Sequence, residues 1–268
     1  MPSLNLADQQ RLQQLQRHGV ATMGLADWQL EHTDAMWQAA QAIVPSLPVT
    51  TNLQADDEND FGGHCVHADA AKFVTDFPEI LVWGLNERLL DLIERYMKCP
   101  PALVGVAMRK DSPNGQQIGT RRWHIDKEDQ YVIKVMVYLN DVARQTGPFE
   151  YVPKDRFNPK YRFLSRCFVR FRQGYNKNQG FEKLVHPKYW QPIVGPAGTA
   201  ILTDTAAVFH HGAIAEQGER LVLIFAYTTQ QPQHKELCKK FFPRADLLPS
   251  LLPHLSLRQQ TALMGWRE

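Results

Sequence analysis

The spacing of apolar side chains divides the chain into a helical first third, a middle of short extended runs and a helical or loop-like tail. Between Asn5 and Arg17, Leu6, Leu12 and Leu15 stand among Gln, Asp and Arg, the pattern of a surface helix with one apolar stripe. A second helical pattern lies near residues 25–44. Residues 78–98 carry the clearest one: Pro78 suits a first turn, Leu81, Leu85, Leu89, Leu92 and Met97 recur at helical spacing, and Pro100 and Pro101 end it. A Gly- and Asp-rich loop is expected near residues 55–69.

After Pro101 the period changes. Ala102–Met108, Tyr131–Leu139, Phe149–Val152, Thr199–Thr203 and Leu221–Thr228 are rich in Val, Ile, Tyr and Phe, and Asn140-Asp141, Gly147-Pro148, Gly195-Pro196 and Gly212 supply turns between them. Several short strands without helices between them predict an antiparallel barrel or jelly roll, mainly β with flanking helices, rather than a doubly wound parallel sheet. Residues 234–268 return to a tail broken by Pro243, Pro249 and Pro253. The expected division is a helical region over 1–100, a β core over 101–230 and a C-terminal tail over 231–268, all in one domain.

With 268 residues and 44% apolar composition, the chain can bury one substantial core. A net charge of +2 gives no global reason to invoke nucleic acid or a membrane. The N-terminus is polar and Gln-rich, without the basic and apolar regions of a secretory signal, and no run approaches the roughly 20 apolar residues of a membrane span. Cys65, Cys99, Cys167 and Cys238 are widely separated and form no metal-binding or disulfide framework, which fits a reducing cytoplasm.

Charge is uneven, however. Ten basic residues between Lys154 and Lys188 face only Asp155 and Glu182, so this segment carries +8 and leaves the remainder at −6. The segment also holds Phe157, Tyr161, Phe163, Phe168, Phe171, Tyr175 and Phe181. It interrupts the β core as an insertion, where it suits a lid or wall over a pocket for an acidic or carrier-linked small molecule. A solvated basic face balanced by acidic helices is the plainer alternative, and no nucleic-acid-binding motif accompanies the charge.

Candidate chemistry begins at R-W-H-I-D-K, residues 122–127. On an extended backbone His124 and Asp126 share a face, and an imidazole with a carboxylate begins a ligand set. A mononuclear ferrous oxygenase needs two His and one carboxylate with other positions left open, and V-F-H-H-G at 208–212 offers His210 or His211 as the third ligand. Arg220 opens the next extended run with a guanidinium suited to a carboxylate. A competing copy, His67-Ala68-Asp69, precedes a helical stretch for which Asp69 suits an N-cap, and His64 and His67 either line a pocket mouth ahead of the barrel or, the plainer expectation, lie at the surface. Lys134 either contacts a bound anion, pairs with a neighbouring carboxylate or points into water, and Glu128 and Asp129 are candidates to orient such partners.

Taken together, H-I-D-K-E-D, K-V-M-V-Y-L-N-D-V, T-G-P-F-E-Y-V-P, L-T-D-T-A-A-V-F-H-H-G and G-E-R-L-V-L-I-F-A-Y resemble the phytanoyl-CoA dioxygenase-like branch of the iron(II)/2-oxoglutarate-dependent oxygenases, over roughly residues 100–228. The resemblance implies a double-stranded β-helix, the jelly roll of cupin-like barrels. It also implies iron(II) held by His124, Asp126 and His210, with 2-oxoglutarate gripped by Arg220 and Lys134 as a cosubstrate-side cation. Hydroxylation of a small molecule with dioxygen is the expected reaction over halogenation, because Asp126 leaves no ligand position vacant for halide, while desaturation or ring chemistry would use the same ligands. A cupin-like binding protein without turnover, or a metal-dependent hydrolase or isomerase on the same barrel, remains the alternative.

Overall fold

Alternation along the middle third sorts side chains to two faces of each strand, and in the central runs 133–138 and 220–229 both faces are buried. In the computed structural model, which describes residues 2–48, 64–156 and 177–267, the strands form two antiparallel sheets. The larger contains β1 (Val20–Gly24), β2 (Cys65–His67), β3 (Pro101–Asp111), β4 (Ile133–Tyr138), β7 (Thr199–Asp204) and β9 (Arg220–Thr229), in the order β1-β7-β4-β9-β3-β2. The smaller contains β5 (Phe149–Tyr151), β6 (Gln191–Ile193) and β8 (His210–Gly212), in the order β6-β5-β8. The fold is a double-stranded β-helix with helices against one side.

Register in the centre of the large sheet decides what faces what. Met136 lies opposite Ile224 and Tyr138 opposite Val222, while on the other flank of β9 Arg109 pairs with Val222 and Asp111 with Arg220. Met136, Tyr138, Val222 and Ile224 pack with Phe149, Tyr151 and Ile193 of the small sheet, so this face looks into the barrel. Val135, Val137, Leu223, Phe225 and Tyr227 alternate with them and join the helical layer. That double burial is why the run from Leu221 to Thr228 reads as continuously apolar.

The helical layer begins with α1 (Leu6–His18), capped by the Asn5 side chain and ended at Gly19 with φ 80°, from which the chain turns directly into β1. β1 was not expected in a region whose pattern reads as helix. Instead of one helix over 25–44, a short 3-10 turn at Ala26–Trp28 precedes α2 (Thr33–Ile43). Residues 78–98 likewise split into α4 (Pro78–Trp83) and α5 (Glu87–Met97), after the short α3 (Lys72–Thr75). The break lets Gly84 lie against the sheet, where a Cβ would stand 2.6 Å from Phe225 Cδ1, and the Asn86 side chain caps the new helix by accepting from the Arg88 and Leu89 N–H groups. Continuous apolar spacing across Leu85 conceals this interruption.

The tail supplies a helix at Lys235–Phe241, a 3-10 stretch at Ala245–His254 and a last helix at Leu257–Met264. Among the described residues, no helix is long and apolar enough to cross a membrane. Cys65, Cys99 and Cys238 are free thiols, and Cys167 lies outside the described residues. The lid expected of the basic segment falls largely on residues 157–176, also outside them. Its described end, which includes Phe181 and Val185, packs with Trp123 and Phe209.

Helix and sheet meet at Trp83, whose ring lies 4.9 Å from Phe225 and whose indole N–H donates to Thr33 Oγ1 at 3.0 Å. Trp83→Ala is expected to lower unfolding free energy by about 3–5 kcal/mol, the cost of an uncollapsed aromatic cavity, as read by chemical denaturation.

Candidate metal centre

Two backbone hydrogen bonds join the segments that carry the candidate ligands. His124 N donates to His210 O and His210 N to His124 O, each at 3.0 Å, so the stretch before β4 pairs with β8 as an isolated bridge, not as a full strand. Asp126 N then donates to Thr205 O at 3.0 Å, fixing the next extended step. Residues 124 and 126 therefore share the barrel-facing side, while Ile125 packs with the Trp123 cluster.

Around this bridge three side chains converge. Asp126 Oδ1 lies 3.6 Å from His124 Nε2 and 3.8 Å from His210 Nε2, and the two rings are 4.3 Å apart. One donor atom from each of the three falls within 4.8 Å of the others. His124 Nδ1 lies 2.7 Å from Arg122 O, and His210 Nδ1 3.2 Å from Val208 O. A carbonyl only accepts, so each Nδ1 carries the proton and each Nε2 presents a lone pair.

Electrostatics reinforce that state. Burial, only partly countered by Asp126, pushes the His124 imidazole down to about 4, and burial together with His124 holds His210 well below its ordinary value. Burial opposes the charge on Asp126, but Lys134 and the two imidazoles override it and keep the carboxyl well below the usual range. Lys134 Nζ donates to Asp126 Oδ2 at 2.5 Å, which leaves Oδ1 toward the imidazoles. Two neutral imidazoles and one carboxylate are the donor set a divalent cation requires.

His211 goes elsewhere. As the strand neighbour of His210 it points to the opposite side, where its Nδ1 lies 2.9 Å from Arg121 O, its Nε2 2.8 Å from Glu150 Oε2, and its ring 4.0 Å from that of Trp123. Arg220 lines the same cavity as His124, Lys134 and His210, together with Met136, Tyr138, Phe149, Val222 and Ile224. Its Nε and Nη2 donate to Asp111 Oδ2 at 3.1 and 2.8 Å. Gly212 clears space for it, since a Cβ there would stand 3.0 Å from Arg220 Nη2. Glu128 accepts from Lys127 N and its charge favours the cationic form of Lys134, while Asp129 accepts from Gln130 N and, across the fold, from Thr229 N.

The competing copy does not assemble. His67 Nε2 lies 3.5 Å from Cys65 Sγ, while Asp69 Oδ1 accepts from Ala71 N at 3.0 Å ahead of α3. His64, expected at the surface, is fully buried against Thr120 and Asp111. His64, Cys65 and Asp111 could geometrically surround an ion. Such an ion would meet the guanidiniums of Arg109 and Arg220 on the same carboxylate, beside a thiol that burial pushes up to about 11. Arg109, Asp111 and Thr120 were missed in the sequence; the only signal for them is the i, i+2 spacing of Arg109 and Asp111 on a strand.

No family model matches the chain, and no curated protein does. Solved structures do. HygX from Streptomyces hygroscopicus, with nickel and 2-oxoglutarate bound, superposes with a TM-score of 0.52 at 13% identity over 85% of this chain and 88% of that one. The non-heme α-ketoglutarate-dependent carbocyclase SnoK from nogalamycin biosynthesis gives 0.52 at 13% identity, over 87% and 89%. EctD from S. alaskensis with bound Fe gives 0.51 at 15% identity, over 84% and 78%. The likeness is one of fold.

If the triad takes a metal, His210→Ala should weaken iron(II) or nickel(II) binding by more than about 100-fold in calorimetric titration. His211→Ala, which removes only an outer buttress, should cost about 10-fold or less. Metal-free protein should also lose stability as pH falls. An unfolded imidazole gains its proton near 6.5 whereas folded His124 resists to about 4, so up to about 3 kcal/mol is present above 6.5 and lost on the way down. Urea unfolding between pH 7.5 and 4.5 measures it, and His124→Gln should flatten the slope.

Proposed function

We propose that this chain is an iron(II)- and 2-oxoglutarate-dependent oxygenase of the phytanoyl-CoA dioxygenase-like kind, acting on a small molecule with an anionic or carrier-linked group. The observation that carries the reading is the convergence of two lone-pair Nε2 atoms and one carboxylate oxygen in the same cavity as the Arg220 guanidinium. That donor set fits ferrous iron, because three ligands from one side leave positions for a chelating keto acid and dioxygen. Iron, when bound, supplies the coupling of 2-oxoglutarate decarboxylation to succinate and carbon dioxide with oxidation of an unactivated C–H bond.

The remaining work belongs to the chain. His124, His210 and Asp126 would hold the metal, and Lys134 engages Asp126 Oδ2, leaving Oδ1 toward the imidazoles. Lys134 also lines the cavity and would be a cosubstrate-side cation there. Arg220, anchored by Asp111, grips the distal carboxylate and so orients the keto acid. Met136, Val222 and Ile224 wall the space between with apolar surface that excludes water. With Asp126 occupying its ligand position, hydroxylation is the proposed outcome. SnoK is a carbocyclase, so ring closure on this fold is the outcome against which product analysis is set.

Anaerobic addition of iron(II) and then 2-oxoglutarate is expected to produce a metal-to-ligand charge-transfer band, and admission of air to release succinate. A band without succinate would leave a binding protein, and purification with tightly held zinc would favour a hydrolase or isomerase. Arg220→Gln should raise the half-saturating 2-oxoglutarate concentration about 10- to 100-fold, with iron affinity little changed.

A further inference from the structure

Arg109 is a guanidinium in the cavity wall with donors to spare. Its Nε donates to Asp111 Oδ2 at 3.1 Å and its Nη1 to Thr120 Oγ1 at 3.2 Å. Its Nη2 has no partner among the described residues, although the side chain is only 11% exposed. A guanidinium donor that lines the cavity and meets no acceptor from the chain is open to one that a ligand supplies.

Position separates Arg109 from the cosubstrate's own contacts. Along β9, Arg220 lies opposite Asp111, and Val222 and Ile224 lead from it toward the level of Lys134, which pairs with Ala226. On the reading above, a keto acid would meet Arg220 at one carboxylate and, at the other, a metal that the triad would hold. Arg109 stands beside that line of residues, one strand over on β3 and opposite Val222, and its bond to Thr120 aims it at the turn that leads into His124.

We infer that Arg109 is the specificity residue that receives a carboxylate of the substrate, so the substrate is a small molecule bearing a carboxylate near the carbon that is oxidised. This rests on the oxygenase reading above and adds the group the site selects.

The test uses the whole chain loaded anaerobically with iron(II) and 2-oxoglutarate, titrated with hexanoate and with hexanamide while the charge-transfer band is followed. Wild-type protein should respond to hexanoate at least about tenfold more tightly than to the amide, the range of one charge-assisted pair. Arg109→Gln should erase that preference while its 2-oxoglutarate affinity stays within about threefold of wild type, and Arg109→Lys, which keeps the charge, should retain part of it. Equal responses to acid and amide in wild type, or no response to either, overturn the inference. So does a tenfold or greater loss of 2-oxoglutarate affinity in Arg109→Gln, which would make Arg109 a cosubstrate residue. Failure of wild-type protein to form the band at all would instead strike at the oxygenase reading itself.

Discussion

The site depends on one pair of backbone hydrogen bonds, the reciprocal 3.0 Å contacts between His124 and His210. Neither imidazole is placed by its own side-chain chemistry. Each is carried to the cavity by extended backbone, and the bridge sets the separation of the two rings. Once that is fixed, Asp126 follows by strand alternation, and the Nδ1 contacts to backbone carbonyls choose the tautomer. Lys134 then completes the arrangement by engaging the carboxylate oxygen turned away from the imidazoles.

Behind the bridge, β9 gives the cavity its far end and its rigidity. One face carries Arg220, Val222 and Ile224 into the barrel, while the other buries Leu223, Phe225 and Tyr227 under the helices. The strand is braced from both sides, with Tyr227 OH donating to Gly84 O and Trp83 set against Phe225. A guanidinium at the start of such a strand has little freedom, and Asp111 removes most of what remains. Positioning by secondary structure and then by an ionic contact recurs at Lys134 and at Arg109.

Much of this was legible in the sequence because its signals are local. The β runs around 102–108, 131–139 and 221–228 announce the strands through composition, and His124, Asp126, His210 and Arg220 stand in motifs short enough to read directly. What escaped depends on contacts between distant residues. Nothing local tells that His64 is buried, since the acceptor beside it belongs to Asp111 on another strand. Arg109 and Asp111 read as an ordinary polar strand end until β9 places Arg220 opposite. β6 and β8 are three residues long, too short for periodicity to speak, and the apolar spacing across Gly84 to Asn86 is that of an unbroken helix.

The distance in sequence between the two halves of the triad has a further consequence. His124 and Asp126 come from one point in the chain and His210 from another, with the whole basic segment enclosed between them. On the proposed reading, an ion held there doubles as a removable cross-link: it closes a long loop that the unfolded chain must otherwise leave open, and it binds only the folded form. Metal supply would thereby govern the protein's lifetime as well as its chemistry.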